Sequence, residues 1–193
     1  MTSPARPDGG AWTLDDLQDL PEDGQDYEIF DGSLLVSPHA DVFRGAITNR
    51  LRRLLDRQAP PGLLVGQGIG VSAKRSSYFV PDLFVAREDA LDRGGPALAP
   101  ADVLLVVEVV SPGNAGRDLV LKRHEYGVAG IPRYWLVEPR MQTLTVLEQV
   151  GGAYREAAVL TVTDVLRSDE PFPTGAARRR HLLSVPRNLP PAW

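Results

Sequence analysis

The sequence contains no cysteine, which excludes disulfide bonds, thiolate metal sites and cysteine nucleophiles. Its three histidines, His39, His124 and His181, do not have the spacing of zinc ligands. No stretch approaches the roughly 18 apolar residues of a membrane span, and the first ten residues lack the apolar core of a signal peptide. We therefore expect a cytoplasmic protein that has no association with membranes.

Two further kinds of site are missing from the sequence. Alternating glycines occur in "GQGIG", residues 66–70, but neither a helix nor a Walker lysine follows them, as a dinucleotide- or phosphate-binding loop requires. Ser111 lacks the GxSxG context of a hydrolase nucleophile. Rossmann-type nucleotide binding and serine-hydrolase chemistry are therefore poor hypotheses for this chain.

The composition is that of an ordinary globular protein, since 43% of the 193 residues are hydrophobic and 24% are charged. The net charge of -4 argues against a protein that binds polyanions over its whole surface, although a local basic face can still contact nucleic acid. We expect a Pro/Gly-rich disordered tail over residues 1–10 and one domain over residues 11–168. Residues 169–193 are Pro/Arg-rich and are expected to form an extension.

Residue patterns predict helices mixed with strands. A short helix capped by Thr13 is followed by a hairpin around Asp31-Gly32, a dipeptide typical of tight turns. Apolar residues recur at helical spacing over residues 41–58, and a second helix is predicted over residues 118–129. Strands are predicted in "LLVGQGIGVSA", "YFVPDLFVA", "DVLLVVEVV", "RYWLVEP", "TLTVLEQV" and "YREAAVL". These patterns favour an α/β (α+β) protein with a sheet core.

Two carboxylates interrupt the predicted apolar strands. Glu108 lies in "LLVVEVVSPG", and Asp82 lies just after a proline in "YFVPDLFVA". An ionised carboxylate that leaves water is strongly destabilised unless a cation or hydrogen-bond donors meet it. If the strands are neighbours, both side chains point off one sheet face, where a divalent ion with oxygen ligands, most naturally Mg²⁺, neutralises them. The backbone carbonyl of Val109 is a candidate third ligand.

Lys122 lies on the second predicted helix, fourteen residues after Glu108. Its stem is long enough to bring an ammonium group beside both carboxylates. Such a cluster suits phosphodiester hydrolysis, because a metal lowers the pKa of bound water and cations stabilise the charge that develops on the phosphorus oxygens. The alternative for Lys122 is a solvated helix residue in an i,i+4 ion pair with Asp118.

The segments "VPDLFV", "VVEVVSPG" and "RDLVLKRHEYGVAGIPRYWLVEP" resemble the family of putative restriction endonucleases in the PD-(D/E)xK nuclease superfamily. The resemblance covers roughly residues 12 to 165. Pro81-Asp82 matches the PD of the superfamily, and Glu108-Val109-Val110 matches its (D/E)xK with valine in place of lysine. This resemblance implies a restriction-endonuclease-like fold, in which helices flank a mixed β-sheet core and a hairpin lies near the N-terminus.

The resemblance also implies roles for particular residues. In this family a lysine on the following helix stands in for the missing one, and it corresponds to Lys122. "GIPRYW", residues 130–135, is similar to the family signature GVPEYW, with arginine in place of glutamate. Glu28 in the hairpin is implied to lie near the site. The family often has histidine and glutamine early in the first long helix, where this chain has Phe43-Arg44-Gly45, so no role is transferred there and His39 is only a weak substitute.

The sequence thus predicts a Mg²⁺-dependent DNA endonuclease, with Mn²⁺ as a second candidate ion, that hydrolyses phosphodiester bonds with a metal-activated water. Asp82, Glu108 and Val109 are the predicted metal ligands. Lys122 is the predicted electropositive helper, and Glu28 is a candidate accessory acid. DNA is the expected partner, and a second copy of the chain, forming a homodimer, is a further candidate.

Other interpretations stay open. Valine in place of the ExK lysine favours a catalytically inactive nuclease-fold module that binds nucleic acid or another partner. A structural homodimer partner within a larger system would self-associate and lack metal affinity. Arg50, Arg53 and Arg57 suit the solvated face of the first long helix better than a phosphate contact, and Tyr134 and Trp135 suit the core or a dimer interface better than base stacking.

Overall fold

The computed structural model describes residues 9–38, 42–111 and 116–174. In this part of the chain the strands form two sheets, one of four strands and one of six. His39, His181 and most of the predicted tail over residues 1–10 lie outside the described residues, as do residues 175–193 of the predicted Pro/Arg-rich extension. The domain boundaries drawn from the sequence stay predictions.

The strands of both sheets are, in chain order, β1 (Gln25–Phe30), β2 (Ser33–Pro38), β3 (Leu63–Gly66), β4 (Val71–Lys74), β5 (Ser77–Phe79), β6 (Leu83–Arg87), β7 (Val103–Val109), β8 (Arg133–Glu138), β9 (Thr143–Val150) and β10 (Ala153–Thr161). The small sheet has the order β2-β1-β5-β4, and the large sheet has the order β10-β9-β8-β7-β6-β3. β7 and β8 are parallel, whereas β6 and β9 run antiparallel to them. The large sheet is therefore mixed, as the family resemblance implied.

The hairpin of the small sheet forms where it was predicted. β1 and β2 pair antiparallel over their whole length, from Gln25 opposite Pro38 to Phe30 opposite Ser33. Asp31 and Gly32 join them with φ angles of 46° and 80°. A tight hairpin turn of this kind needs positive φ at both central residues, and the Asp-Gly pair tolerates that backbone conformation.

The helices described are α1 (Val42–Asp56) and α2 (Arg123–Val128), with 3₁₀ turns at Leu14–Asp19, Glu88–Ala90 and Pro100–Asp102 and a π-helical turn at Arg117–Lys122. The short helix predicted after Thr13 is thus a 3₁₀ turn, and the Asp16 carboxylate accepts hydrogen bonds from the amide and the hydroxyl of Thr13. The second predicted helix is divided between the π-helical turn and α2. No helix in the described parts of the chain is long and apolar enough to cross a membrane.

Helix α1 packs on the large sheet through the face that its periodicity predicted. Ile47, Leu51 and Leu55 are buried there against side chains that include Val107 and Trp135. Burying an aliphatic side chain of this size contributes about 1.5–3 kcal/mol. A second buried cluster contains Val106 and aromatic rings that include Phe79, Phe84, Tyr126 and Tyr134. The predicted core positions of Tyr134 and Trp135 are confirmed, because both residues are fully buried.

The run "YFVPDLFVA" is divided between the two sheets. Its first residues belong to β5 of the small sheet, and its last belong to β6 of the large sheet. Residues 80–82 lie in neither strand, so Asp82 precedes β6 and the prediction of a strand-embedded Asp82 is wrong. Pro81 has no backbone donor for a ladder, and this is the physical reason why the strand breaks at that point.

The glycines of "LLVGQGIGVSA" also mark a change of sheet, because this run includes both β3 and β4. A Cβ atom at Gly66 would overlap the ring of Phe84, and one at Gly70 would overlap the ring of Tyr78. The alternating glycines therefore make room for aromatic rings, which agrees with the rejection of a nucleotide-binding loop.

Part of the predicted C-terminal extension packs against the domain. Ser168 and Thr174 exchange two backbone hydrogen bonds, and Phe172 is buried in the same cluster as α1. The described chain up to Thr174 is therefore held by the core.

Candidate active site

Charged side chains from separate segments meet where β6 begins and β7 ends. They are Glu28 of β1, Arg44 of α1, Asp82 just before β6, Glu108 of β7 and Lys122 of the π-helical turn. Leu83 is opposite Val107 in the antiparallel pair β6–β7, so the next residues outward are Asp82 and Glu108. The structure thus brings together the four side chains that the sequence singled out, and it adds Arg44.

Lys122 links two carboxylates that come from different sheets. Its Nζ atom lies 2.9 Å from Oε1 of Glu108 and 2.7 Å from Oε1 of Glu28. Lys122 is only 2% exposed and Glu108 is 0% exposed, so the alternative of a solvated Lys122 is excluded. A buried ion pair requires close geometry and further donors to offset the lost hydration. Here Oε1 of Glu28 also accepts a hydrogen bond of 3.0 Å from the amide of Val80.

The carboxylate of Asp82 takes the place of a strand partner for β7. Its Oδ2 atom accepts a hydrogen bond of 2.7 Å from the amide of Val109, at the point where β6 has not yet begun. The guanidinium of Arg44 donates from Nε to the same oxygen at 2.9 Å and lies 2.7 Å from the other carboxylate oxygen, Oδ1. Both contacts fix the orientation of the Asp82 side chain at the end of the sheet.

Burial raises the pKa of the Asp82 carboxyl above its ordinary value, because the charged form loses hydration. The positive charge of Arg44 acts in the opposite direction and is the strongest of the groups that lower this pKa. The amide of Val109 and the ammonium of Lys122 also lower it. The ionised state of Asp82 therefore depends on the cations around it.

Arg44 faces both acids of the predicted metal site. Besides its contacts with Asp82, its Nη2 atom lies 3.7 Å from Oε2 of Glu108. The sequence argument expected a divalent ion to neutralise the two acids, whereas Arg44 and Lys122 provide positive charge there within the chain. Sequence reasoning assigned no role to Arg44, and the signal that was available was its position at the first turn of α1, where the chain departs from the family pattern.

Tyr126 is a second residue of the site that sequence reasoning missed. Its hydroxyl donates a long hydrogen bond of 3.4 Å to Oε1 of Glu108, and its ring packs edge-on against Phe79 and Tyr134. The available signal was spacing, because Tyr126 follows Lys122 by four residues and such pairs share a helix face. Both side chains contact the same oxygen of Glu108 from that face.

The donor chemistry of these groups fits a hard divalent ion. In the parts of the chain that are described, no set of three or more His, Cys, Asp or Glu side chains is arranged as a metal centre. However, Asp82 and Glu108 both face one cation, the Arg44 guanidinium, so their oxygens converge on one place. The amide of Val109 points at Asp82, and in a strand the carbonyl of the same residue points to the same side. Carboxylate and carbonyl oxygens are the ligands that Mg²⁺ and Mn²⁺ prefer.

A cavity of about 300 Å³ adjoins this cluster and gives access to Asp82. Its wall includes Arg44 and Asp82 together with the polar side chains of Asp26, Asn49 and Gln67. Polar groups that converge on a cavity beside a buried carboxylate of raised pKa, here Asp82, are typical of binding sites. The cavity therefore offers a route by which a ligand reaches Asp82.

Comparison with known proteins finds similarity to nucleases. The family model Uma2, described as a putative restriction endonuclease, matches residues 14–185. A crystal structure of a putative nuclease belonging to DUF820 from Anabaena variabilis covers 90% of this chain and 99% of its own, with a TM-score of 0.70 and 17% sequence identity. At this identity the likeness is one of fold, and it confirms the predicted fold class. No curated protein is significantly similar to this chain in sequence.

Proposed function

Since the chain belongs to the Uma2 family of putative restriction endonucleases, as its motifs predicted, we propose that it is a Mg²⁺-dependent DNA endonuclease, with Mn²⁺ as a second candidate ion. It hydrolyses phosphodiester bonds with a water molecule that the ion activates. The observation that carries the proposal is the convergence of Asp82 and Glu108 on one guanidinium, with Lys122 bound to Glu108. A nuclease-like fold with buried acids at one end of the large sheet supports it.

A bound divalent ion would lower the pKa of a water molecule and would add positive charge to the site. In the proposal, the carboxylates of Asp82 and Glu108 and the carbonyl of Val109 hold this ion. The ammonium of Lys122 stabilises the negative charge that develops on the phosphate oxygens. Glu28 is the accessory acid, and it acts by holding Lys122 at 2.7 Å, so it is a positioning residue.

Plasmid nicking tests the proposal directly. We expect the wild type to nick supercoiled DNA with Mg²⁺ or Mn²⁺ and to be inactive in EDTA. Asp82→Asn and Glu108→Gln keep the shape of each side chain and should lose both cleavage and metal binding. Asp56→Asn is the matched control, because Asp56 is an exposed acid at the end of α1. Equal cleavage by the wild type and by both site variants would show that the activity comes from elsewhere.

A specific observation favours a second candidate function. The Arg44 guanidinium faces the two acids that would hold the ion, and valine replaces the ExK lysine at position 110. Both features suit a nuclease fold that has lost catalysis and binds nucleic acid or another partner. This candidate requires DNA binding without cleavage at any concentration of Mg²⁺ or Mn²⁺. The cytoplasmic location and the homodimeric state of the protein stay predictions under either function.

A further inference from the structure

Arg44 lies where a cation shared by Asp82 and Glu108 would lie. Its Nε atom is 2.7 Å from Oδ1 of Asp82, and its Nη2 atom is 3.7 Å from Oε2 of Glu108. Both nitrogens belong to one planar guanidinium, so a single charge faces both acids. The side chain of Arg44 is 13% exposed and that of Asp82 is 7% exposed, so water screens these contacts weakly.

A guanidinium and a divalent ion cannot both bind these oxygens. They compete for the same space, and two positive charges so close together repel each other in a site of low exposure. Binding of a metal ion to Asp82 and Glu108 therefore requires Arg44 to leave them. The affinity of the acids for the ion is reduced by the stability of the contacts that Arg44 makes with them.

The cavity of about 300 Å³ beside Asp82 gives Arg44 a place to move to. Arg44 is in the first turn of α1 and lines this cavity, so a change of side-chain rotamer is sufficient and the helix need not move. Asp26 on the cavity wall is another acid that Arg44 can approach there. A phosphodiester that enters the cavity attracts the guanidinium more strongly, because arginine binds phosphate through paired charged hydrogen bonds.

From this geometry we propose that Arg44 is the resident cation of the metal site and couples metal binding to substrate. Without nucleic acid it holds Asp82 and Glu108 and keeps divalent ions weakly bound. When a backbone phosphate enters the cavity, Arg44 transfers from the acids to the phosphate and the acids become available to the ion. This inference rests on the proposed function and adds to it the order in which metal and substrate bind.

The first test measures Mn²⁺ affinity by titration calorimetry without DNA. Arg44→Gln should bind Mn²⁺ at least about tenfold more tightly than the wild type, because the variant lacks the positive charge that competes with the ion. Arg52→Gln is the control, because Arg52 is an exposed arginine on the same helix that pairs with Asp56 at 3.5 Å. It should bind like the wild type.

The possible results separate the two proposals. Equal or weaker Mn²⁺ affinity in Arg44→Gln overturns the resident cation and leaves the nuclease proposal standing. No Mn²⁺ binding by either protein, together with no cleavage, overturns the nuclease proposal and the resident cation with it. Tighter Mn²⁺ binding by Arg44→Gln, but not by Arg52→Gln, supports the inference.

Thermal melting is a second measurement, and it controls for a folding defect in Arg44→Gln. In EDTA, Arg44→Gln should melt at a lower temperature than the wild type, and added Mn²⁺ should raise its melting temperature more than that of the wild type. Arg44→Lys keeps one charge and should have a Mn²⁺ affinity between those of the wild type and Arg44→Gln.

The coupling to substrate is measured with Ca²⁺, which also takes oxygen ligands. A DNA duplex should tighten Ca²⁺ binding to the wild type more than to Arg44→Gln. An equal effect of the duplex on both proteins contradicts the transfer of Arg44 to phosphate.

Discussion

The Nζ atom of Lys122 lies 2.9 Å from Oε1 of Glu108, although the two residues are fourteen positions apart and belong to a π-helical turn and a strand. The contact forms because β7 and β8 are parallel, so the chain must cross back over the sheet between them through the helical segment that carries Lys122. A π-helical turn is often found at functional sites. The crossover thus places a lysine over the acid of the strand that precedes it.

Removing this lysine should destabilise the fold. Lys122→Met leaves Glu108 and Glu28 buried without their shared cation, and breaking a buried pair of this kind lowers the free energy of unfolding by about 3–5 kcal/mol. Urea denaturation in EDTA measures the change. The double variant Lys122→Met/Glu28→Gln should be less destabilised than the sum of its parts, because the two residues share one interaction. Additive effects would mean that the ion pair contributes little.

Cleavage should depend on Lys122 beyond its effect on stability. Under conditions where the variant remains folded, Lys122→Met should lower the cleavage rate by about 10²–10³, the usual effect of removing one group that stabilises transition-state charge. The matched control is Lys74→Met, since Lys74 is half exposed and pairs with Asp31 at the hairpin turn. Quenched single-turnover assays on plasmid DNA give both rates. A Lys122→Met rate within a factor of about two of the control would remove the lysine from the chemistry.

The hydroxyl of Tyr126 should matter less than its ring. Tyr126→Phe removes the long hydrogen bond to Glu108 and should cost about 0.5–1.5 kcal/mol. Tyr126→Ala also removes the packing against Phe79 and Tyr134 and should cost about 3–5 kcal/mol, as other deletions of large aromatic side chains do. Thermal or urea unfolding of both variants checks the order. If both variants lose the same stability, the hydroxyl and not the ring is what the core requires.

Two glycines should respond to alanine with opposite signs. Gly66→Ala introduces a Cβ atom that overlaps the ring of Phe84, and overpacking of this kind costs about 1–3 kcal/mol. Gly45→Ala, in α1, meets no atom within 4 Å and should stabilise the protein by about 0.5–1 kcal/mol, because alanine favours a helix. Urea denaturation curves give both free energies. A stable Gly66→Ala variant would mean that the Phe84 ring can move aside.

Local sequence signals were sufficient for the hairpin, for α1 and for β7. Asp31-Gly32 predicts its turn from backbone conformation alone, and the spacing of Ile47, Leu51 and Leu55 predicts the buried face of α1. Glu108 is an acid within the apolar run of β7, and this was enough to predict that a cation or hydrogen-bond donors contact its carboxylate. These features depend on neighbours that are close in the sequence, so pattern is a good guide to them.

The position of Asp82 and the contacts of Arg44 could not be predicted in the same way. An apolar run that crosses from one sheet to another has the same pattern as a single strand, so "YFVPDLFVA" gave no sign of its break apart from Pro81. Arg44 reaches the acids because of the way α1 packs on the large sheet. That packing joins residues distant in the sequence, and helical periodicity carries no information about it.

The bridge that Lys122 makes between Glu28 and Glu108 joins the small sheet to the large one. Separating the two sheets consequently breaks the contact between Lys122 and Glu28. Any local opening that lifts the hairpin away removes one of the two carboxylates that Lys122 contacts. A ligand that stiffens the cluster should therefore slow amide hydrogen exchange in β1, well away from the point of binding.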